Sequence, residues 1–242
     1  VTGVQTCALP ICMLSSGLSS VHGTTRNPWR IDLNPAGSSS GAAAAAAAGY
    51  GPWHVGTDIG GSIRLPAFHC GVFGLKPSLG RVPINPPFMG RAAGPITRTV
   101  ADAAMLMNII ARPDARDFMS LPADPCDYLS ELDALEPTGL RIALLEDMAA
   151  GWPVEPAISG AVRDAARALE RAGARVEPIR SFLSPSMLDG IQRFFEARSC
   201  NDLLALAPDE RTKVLPFIVE WATWRAREFS GARSEEHTSE LQ

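Results

Sequence analysis

At 242 residues and 46% hydrophobic content, the chain can bury a substantial core in one large domain or two small ones. A formal net charge of −4, with Lys76 and Lys213 the only lysines, leaves no basic surplus for binding nucleic acid or an anionic membrane. The longest unbroken apolar run, Ala42 to Ala48, is far shorter than the roughly 20 residues that cross a bilayer.

The chain opens on "VTGVQTCALPI" and closes on "RSEEHTSELQ", and both read as translations of one short sequencing adapter, once on each strand. The DNA element AGATCGGAAGAGC encodes the start of the second segment, and its reverse complement encodes Ala8 to Ile11. Residues 1–12 and 233–242 are therefore set aside as adapter-derived tails, leaving 13–232 as a partial domain. The second tail carries Arg233 against Glu235, Glu236 and Glu240, so without it the formal charge moves from −4 to −2. Cys7 and Cys12 also drop out. Cys70, Cys126 and Cys200 remain without metal-ligand spacing, which points to a reducing compartment, with the cytoplasm as the expected location.

Along the remaining chain the pattern is α/β, without an internal repeat. The alanine run predicts a helix with almost no side chain, able to lie unusually close to its neighbour. "HVGTDIGG" predicts a short buried strand entering a glycine turn. In "TRTVADAAMLMNIIARP", Thr99 and Asp102 have capping-box spacing, an apolar helix follows, and Pro113 stops it. Met105, Met107, Ile109 and Ile110 on that helix are expected in the core. "ARPDARDFMSLPADP", residues 111–125, reads as a surface loop or sub-domain boundary.

"GLRIALLED" predicts a buried strand, and a helix follows in which Ile158, Val162, Ala165, Leu169 and Ala172 recur at spacings of four and three. Gly173 is placed to cap that helix, and "ARVEPI" supplies another strand. This order implies parallel neighbours joined by a right-handed crossover. Arg163, Arg167, Arg171 and Arg175 read as a solvated face with Asp164 and Glu170 nearby. Residues 185–230 read as largely helical, with Trp221 and Trp224 packing in a core or lining a substrate pocket.

Two Gly/Ser clusters carry the chemistry: "PAGSSSG" ahead of the alanine helix, and "DIGGSIR" after the strand. A linker would be polar throughout, whereas both clusters run straight into apolar segments. A serine hydroxyl needs a base to become a nucleophile, and its transition state needs backbone N–H donors for the oxyanion. Ile59, Gly60 and Gly61 can turn successive N–H groups inward beside Ser62, since glycine permits the backbone angles and a close approach. Gly37, Ser38 and Ser39 can present a second hydroxyl that passes the proton on.

"NPAGSSSGAAAAAAAG" followed by "GTDIGGSIRLPAFHCGVFGLKPSLGRVP" resembles the signature region of the amidase signature family of serine hydrolases. The resemblance extends upstream through "TRNPW" and downstream through "GPITRTVADAAMLM". It implies a mixed β-sheet core flanked by helices, here a fragment lacking the N-terminal part. It also implies hydrolysis of a small-molecule amide through an acyl-enzyme, without metal or organic cofactor, nucleic acid or membrane, and leaves a homodimer open. Ser62 matches the acylated nucleophile. Ser38 matches the family's second serine, which follows a cis peptide, here Gly37–Ser38. Ser39 matches a supporting serine, and Asp58 and Arg64 match positions that brace the loop. The family's loop usually reads Gly-Gly-Ser-Ser-Gly-Gly, and Ala36 and Ser40 replace its first and fifth residues.

The family's third member is a lysine further upstream than the 37 residues preceding Ser38, so the base is expected to be missing here. Lys76, in "GLKPS", matches a different family segment, and Lys213 lies in a helical region. The alternatives are the glutaminase-type component of a tRNA-dependent amidotransferase and an amidase-fold protein that binds without cutting. Two rival serine chemistries are weighed as well. "GSSSG" satisfies a nucleophile elbow centred on Ser39, but no buried strand precedes it. His22, His54 and His69 offer a Ser-His-Asp arrangement with Asp58.

Overall fold

The computed structural model describes residues 16–19, 23–134, 136–148 and 153–224. Both adapter-like tails, His22 and the end of the aromatic-rich segment beyond Trp224 lie outside them. The chain forms two compact units: the first holds the described residues up to Leu132 together with Ser199–Trp224, and the second holds Asp133–Arg198.

The first unit opens with a small antiparallel pair, β1 (Leu18–Ser19) and β2 (Gly23–Thr24). Helix α1 (Ser40–Ala47) is the predicted alanine helix. Strand β3 (His54–Asp58) is the predicted strand before the second glycine turn. Next come α2 (Arg64–Cys70), β4 (Phe73–Gly74) and β5 (Ala92–Thr97), which the residue patterns did not mark. The sheet order is β3-β5-β4, antiparallel throughout, with His54 opposite Ile96 and Asp58 opposite Ala92. Ala42, Ala43 and Ala46 of α1 are fully buried with Ile63, Cys70 and Ile96, so the helix backbone itself lies against the sheet and α2.

That closeness relies on glycine. Gly56 and Gly94 face each other across the β3–β5 ladder. A Cβ on Gly94 would lie 2.1 Å from the Leu75 carbonyl oxygen, and one on Gly56 would lie 2.7 Å from Ser39 Oγ. Neither position has room for a side chain.

Helix α3 (Val100–Ile110) begins as expected, with Thr99 Oγ1 accepting the Asp102 N–H at 3.0 Å. The four residues expected in the core divide between two environments. Met107 is buried against Val82 and Ala93 with Ile110 beside them, whereas Met105 and Ile109 are exposed, which corrects the expectation that all four are core. The loop 111–125 belongs to this unit. Buried Asp117 accepts the N–H groups of Ile84 and Met119, and the Leu121 N–H donates to the Gly80 carbonyl. The division between units falls after Leu132 instead.

In the second unit, β6 (Arg141–Leu144) and β7 (Arg175–Pro178) are parallel and joined through α4 (Pro156–Arg171), as predicted. Strand β6 is not the buried strand expected, since Arg141 and Ala143 are exposed and Ile142 and Leu144 only half-buried. Gly173 follows α4 at φ 99°. Arg167 pairs with Asp164 and Arg163 with Glu146, on the solvated face expected. The apolar face of α4 is uncovered: Ile158, Val162 and Leu169 are all exposed.

Helix α5 (Pro185–Ala205) carries the unit division within it. Near its C-terminal end, Leu203 packs with Val214, and with Ile218 and Ala222 of α7 (Pro216–Thr223), which follows the short α6 (Pro208–Arg211). Trp221 joins that cluster, and Trp224 is exposed. Among the described residues, no helix is long and apolar enough to cross a membrane. Cys70, Cys126 and Cys200 are free thiols, and burial pushes Cys70 up to about 11.

Candidate active site

The first serine loop is held at both ends. Asn34 Oδ1 accepts the Ala36 N–H at 2.9 Å, an Asx-type turn that an asparagine two residues ahead makes readily. Ala36 is buried with φ 58°, in the left-handed region that glycine occupies without strain and alanine does not. The Gly37–Ser38 peptide is cis. Ser39 then docks on β3, its hydroxyl accepting the Thr57 N–H and donating to the Thr57 carbonyl, both at 3.2 Å. Strand β3 is an edge of its sheet. The Ser39 hydroxyl therefore serves the outer side of Thr57 where a neighbouring strand would.

The second serine loop is organised by Asp58, the last residue of β3. Its carboxylate is fully buried and accepts N–H groups from Gly61 at 2.8 Å and Ile63 at 3.1 Å. Arg64 closes on the same carboxylate through Nε at 3.0 Å and Nη2 at 2.9 Å, a fork that matches both oxygens. Burial alone would push the Asp58 carboxyl up. The Arg64 guanidinium and the Ile63 and Gly61 amides outweigh it and hold the carboxyl below the ordinary carboxylate range. A carboxylate at the end of a strand thus draws the next six residues into a tight turn around itself.

One hydrogen bond joins the two loops. The Ser39 N–H donates to the Ser62 carbonyl at 3.1 Å, which ties the residue after Ser38 to Ser62 itself. Ser38 and Ser62 are both half-buried, so each lies at the surface of the junction. Among the described residues, neither hydroxyl hydrogen-bonds to another protein group. The structure therefore brings together Gly37, Ser38, Ser39, Asp58, Ser62 and Arg64, the residues singled out in the sequence.

The oxyanion donors need one correction. Ile59, Gly60 and Gly61 were expected to act together, but the Gly61 N–H points at Asp58 Oδ1. The Ile59 and Gly60 amides make no hydrogen bond among the described residues. Gly61 has φ 115°, and a Cβ there would lie 3.0 Å from Leu65, so its role is conformational.

The rival chemistries fare poorly in this geometry. Ser39, the centre of the elbow reading, is 1% exposed and engaged twice by Thr57. Asp58 is occupied by Arg64 and two amides and orients no histidine. His54 is buried with neither ring nitrogen hydrogen-bonded. Burial drives its pKa below 6.5 and the Arg98 charge adds to this, while the Gly51 backbone opposes it without reaching hydrogen-bond geometry. His69 is exposed at the end of α2, edge-on to Phe68. Lys76 is exposed and donates to the Pro77 carbonyl, and Lys213 is exposed between α6 and α7. Among the described residues, no three His, Cys, Asp or Glu side chains form a metal-binding group.

A family model described as Amidase matches residues 1–238. The chain belongs to the amidase signature family. Among its relatives is a glutamyl-tRNA(Gln) amidotransferase subunit from Rubrobacter xylanophilus, 45% identical over 169 residues, which are 68% of this chain and 35% of that protein. Among solved structures, a bacterial aryl acylamidase of the amidase signature family superposes with a TM-score of 0.77 at 32% identity, covering 93% of this chain and 49% of that one. The peptide amidase of Stenotrophomonas maltophilia superposes with a TM-score of 0.68 at 31% identity, covering 88% and 51%. The chain thus spans between about a third and a half of the length of these amidase relatives. Its mixed α/β architecture is that of the solved amidases.

The residue patterns missed Asn34 and Thr57, and marked Ser40 only as a departure from the family's loop. Asn34 carried a legible signal, since asparagine before proline commonly starts a turn. The bonds of Ser40 and Thr57 run across a helical turn or between groups distant in sequence, and spacing does not reveal them.

Proposed function

We propose that this chain carries the nucleophilic half of an amide hydrolase, with Ser62 acylated and Ser38 passing its proton. The observation that carries this is the Ser39 N–H bond to the Ser62 carbonyl, which sets the two half-buried serines at one junction. The Ser62 proton moves to Ser38 Oγ as the Ser38 proton moves to a neutral amine base, and Ser62 Oγ attacks the amide carbonyl. The Ile59 and Gly60 amides hold the oxyanion. The C–N bond then breaks, the base returns a proton through Ser38 to the departing amine, and water hydrolyses the acyl-serine. Lys76 and Lys213 are engaged or placed elsewhere, so the base is a lysine outside this sequence. The substrate is a small-molecule amide, and the reaction calls on no metal.

A second reading, the glutaminase-type component of a tRNA-dependent amidotransferase, is favoured by the names of the first curated relatives. Ammonia release from glutamine, weighed against cleavage of an aryl amide, separates the two in a protein restored to full length. In the present chain, steady turnover of either substrate is expected to be absent, and a fluorophosphonate is expected to modify Ser62 slowly, faster as pH rises. Labelling that persists in Ser62→Ala would overturn the assignment. Sequencing the source DNA upstream of the Cys12 codon tests the adapter reading and the base together. A different residue in place of the lysine, in an intact frame, leaves an amidase fold that binds without cutting.

A further inference from the structure

The two positions where the serine loop departs from the family's glycines touch each other. Ser40 Oγ donates to the Ala36 carbonyl at 2.6 Å, and both residues are buried, at 2% and 5% exposure. Ala36 is the only non-glycine with positive φ among the described residues, so it holds a left-handed conformation against the steric preference of its own Cβ. A buried hydroxyl on its carbonyl, with Asn34 on its N–H, fixes the peptide groups on both sides of that residue. The Ser40 side chain also has a fitted berth, since a Cβ on Gly17 would lie 3.1 Å from Ser40 Oγ and 3.2 Å from its Cβ.

We infer that Ala36 and Ser40 form a compensating pair in which the Ser40 hydroxyl is a positioning group for Ser38. The chain enters Ser38 from a peptide held by Asn34 and Ser40, and leaves it into Ser39, held by Thr57 and the Ser62 carbonyl. Ser38 thus spans a short gap between two fixed points. Loosening the upstream point moves the Ser38 hydroxyl relative to Ser62 without touching either serine. The inference rests on the reading of Ser62 and Ser38 as the reacting pair, and it adds a dependence that the glycine form of the loop does not have.

The test uses the full chain and a fluorophosphonate whose labelling of Ser62 is resolved into a maximal rate and a half-saturating concentration. Ser40→Ala is expected to lower the maximal rate about tenfold with the half-saturating concentration unchanged. In an Ala36→Gly background, where the left-handed residue needs no restraint, the same substitution is expected to lower it by less than about threefold. Equal losses in both backgrounds, or a loss only in half-saturation, would overturn the pair. Amide hydrogen exchange in Ser62→Ala protein decides the matter apart from reactivity, because it reads the loop alone. Ser40→Ala should there accelerate exchange at Ala36 and Ser39 about tenfold, and unchanged exchange refutes the inference. A chain that never labels, yet shows the accelerated exchange, overturns the nucleophile assignment and leaves the coupling standing.

Discussion

The two units differ in what their small residues achieve. In the first, alanine and glycine are buried against backbone: α1 contributes Ala42, Ala43 and Ala46 to a core with Ile63 and Ile96, and Gly56 and Gly94 let strand and loop approach. In the second, α4 has a regular apolar face with longer side chains, yet the buried apolar residues of that unit among the described ones are Ala174 and Ala197. Local sequence therefore produced a helix in both units and a core in only one. Helix formation answers to local hydrogen bonding and caps, whereas burial needs a second surface, and two parallel strands offer α4 little of one.

The sharpest way to break this contrast is to insert one carbon atom in each unit. Gly94→Ala should abolish the cooperative unfolding transition, because the new Cβ meets the Leu75 carbonyl oxygen and neither backbone can yield. A folded, reversible Gly94→Ala protein by circular dichroism would show the first unit to be far more pliant than its packing says.

Next in size is Asp58→Ala, expected to destabilise by about 3 kcal/mol in urea titration, since it strands buried Gly61 and Ile63 amides. Arg64, half exposed, returns to water and contributes little to that loss. Fluorophosphonate labelling of Ser62 should fall with it. The folded Asp58 carboxyl titrates below its unfolded value, so its stabilisation is complete above the ordinary carboxylate pKa and is lost as pH falls through the lower folded one. The urea midpoint of wild type should therefore drop steeply in acid, and that of Asp58→Ala less so.

His54 gives a milder effect at higher pH. Its folded pKa lies below 6.5, so the unfolded chain takes up the proton first and stability declines as pH falls below 6.5. His54→Leu should flatten the urea midpoint between pH 7 and 5, and an unaltered slope would assign that decline to another group.

The smallest change belongs to the second unit. Gly160→Ala in α4, where an added Cβ meets nothing within 4 Å, should stabilise by about 0.5–1 kcal/mol. A loss instead would mean that α4 has a close neighbour at Gly160 in solution.

What the sequence revealed follows the same division between local and distant causes. The alanine helix, the Thr99 cap, and the β6–α4–β7 unit with Gly173 at its turn were legible, because each depends on residues within a few positions of one another. Strand β5 was not, since "AAGPIT" carries a glycine and a proline that argue against a central strand. Its Gly94 is required by Leu75, and Pro95 still offers its carbonyl to the Leu75 N–H at 3.0 Å. Helix α2 was hidden for the same reason, because Pro66 and a short span mask it. At the candidate site, the motif marked Ser38, Ser62, Asp58 and Arg64, which the fold brings near one another, but not the direction of the Gly61 N–H. Sequence lists a donor, and only the neighbouring carboxylate decides where it points.

The alanine helix has one further consequence. A methyl group has no rotamers, so α1 cannot absorb a change at its buried face by turning a side chain aside. Any enlargement at Ala42, Ala43 or Ala46 must displace the helix axis, and with it the residue at its N-terminal end, Ser40. The site's geometry is in this sense recorded as an interaxial distance. Sequence drift on that face would be felt at once at the loop, in the manner of a gauge block without adjustment.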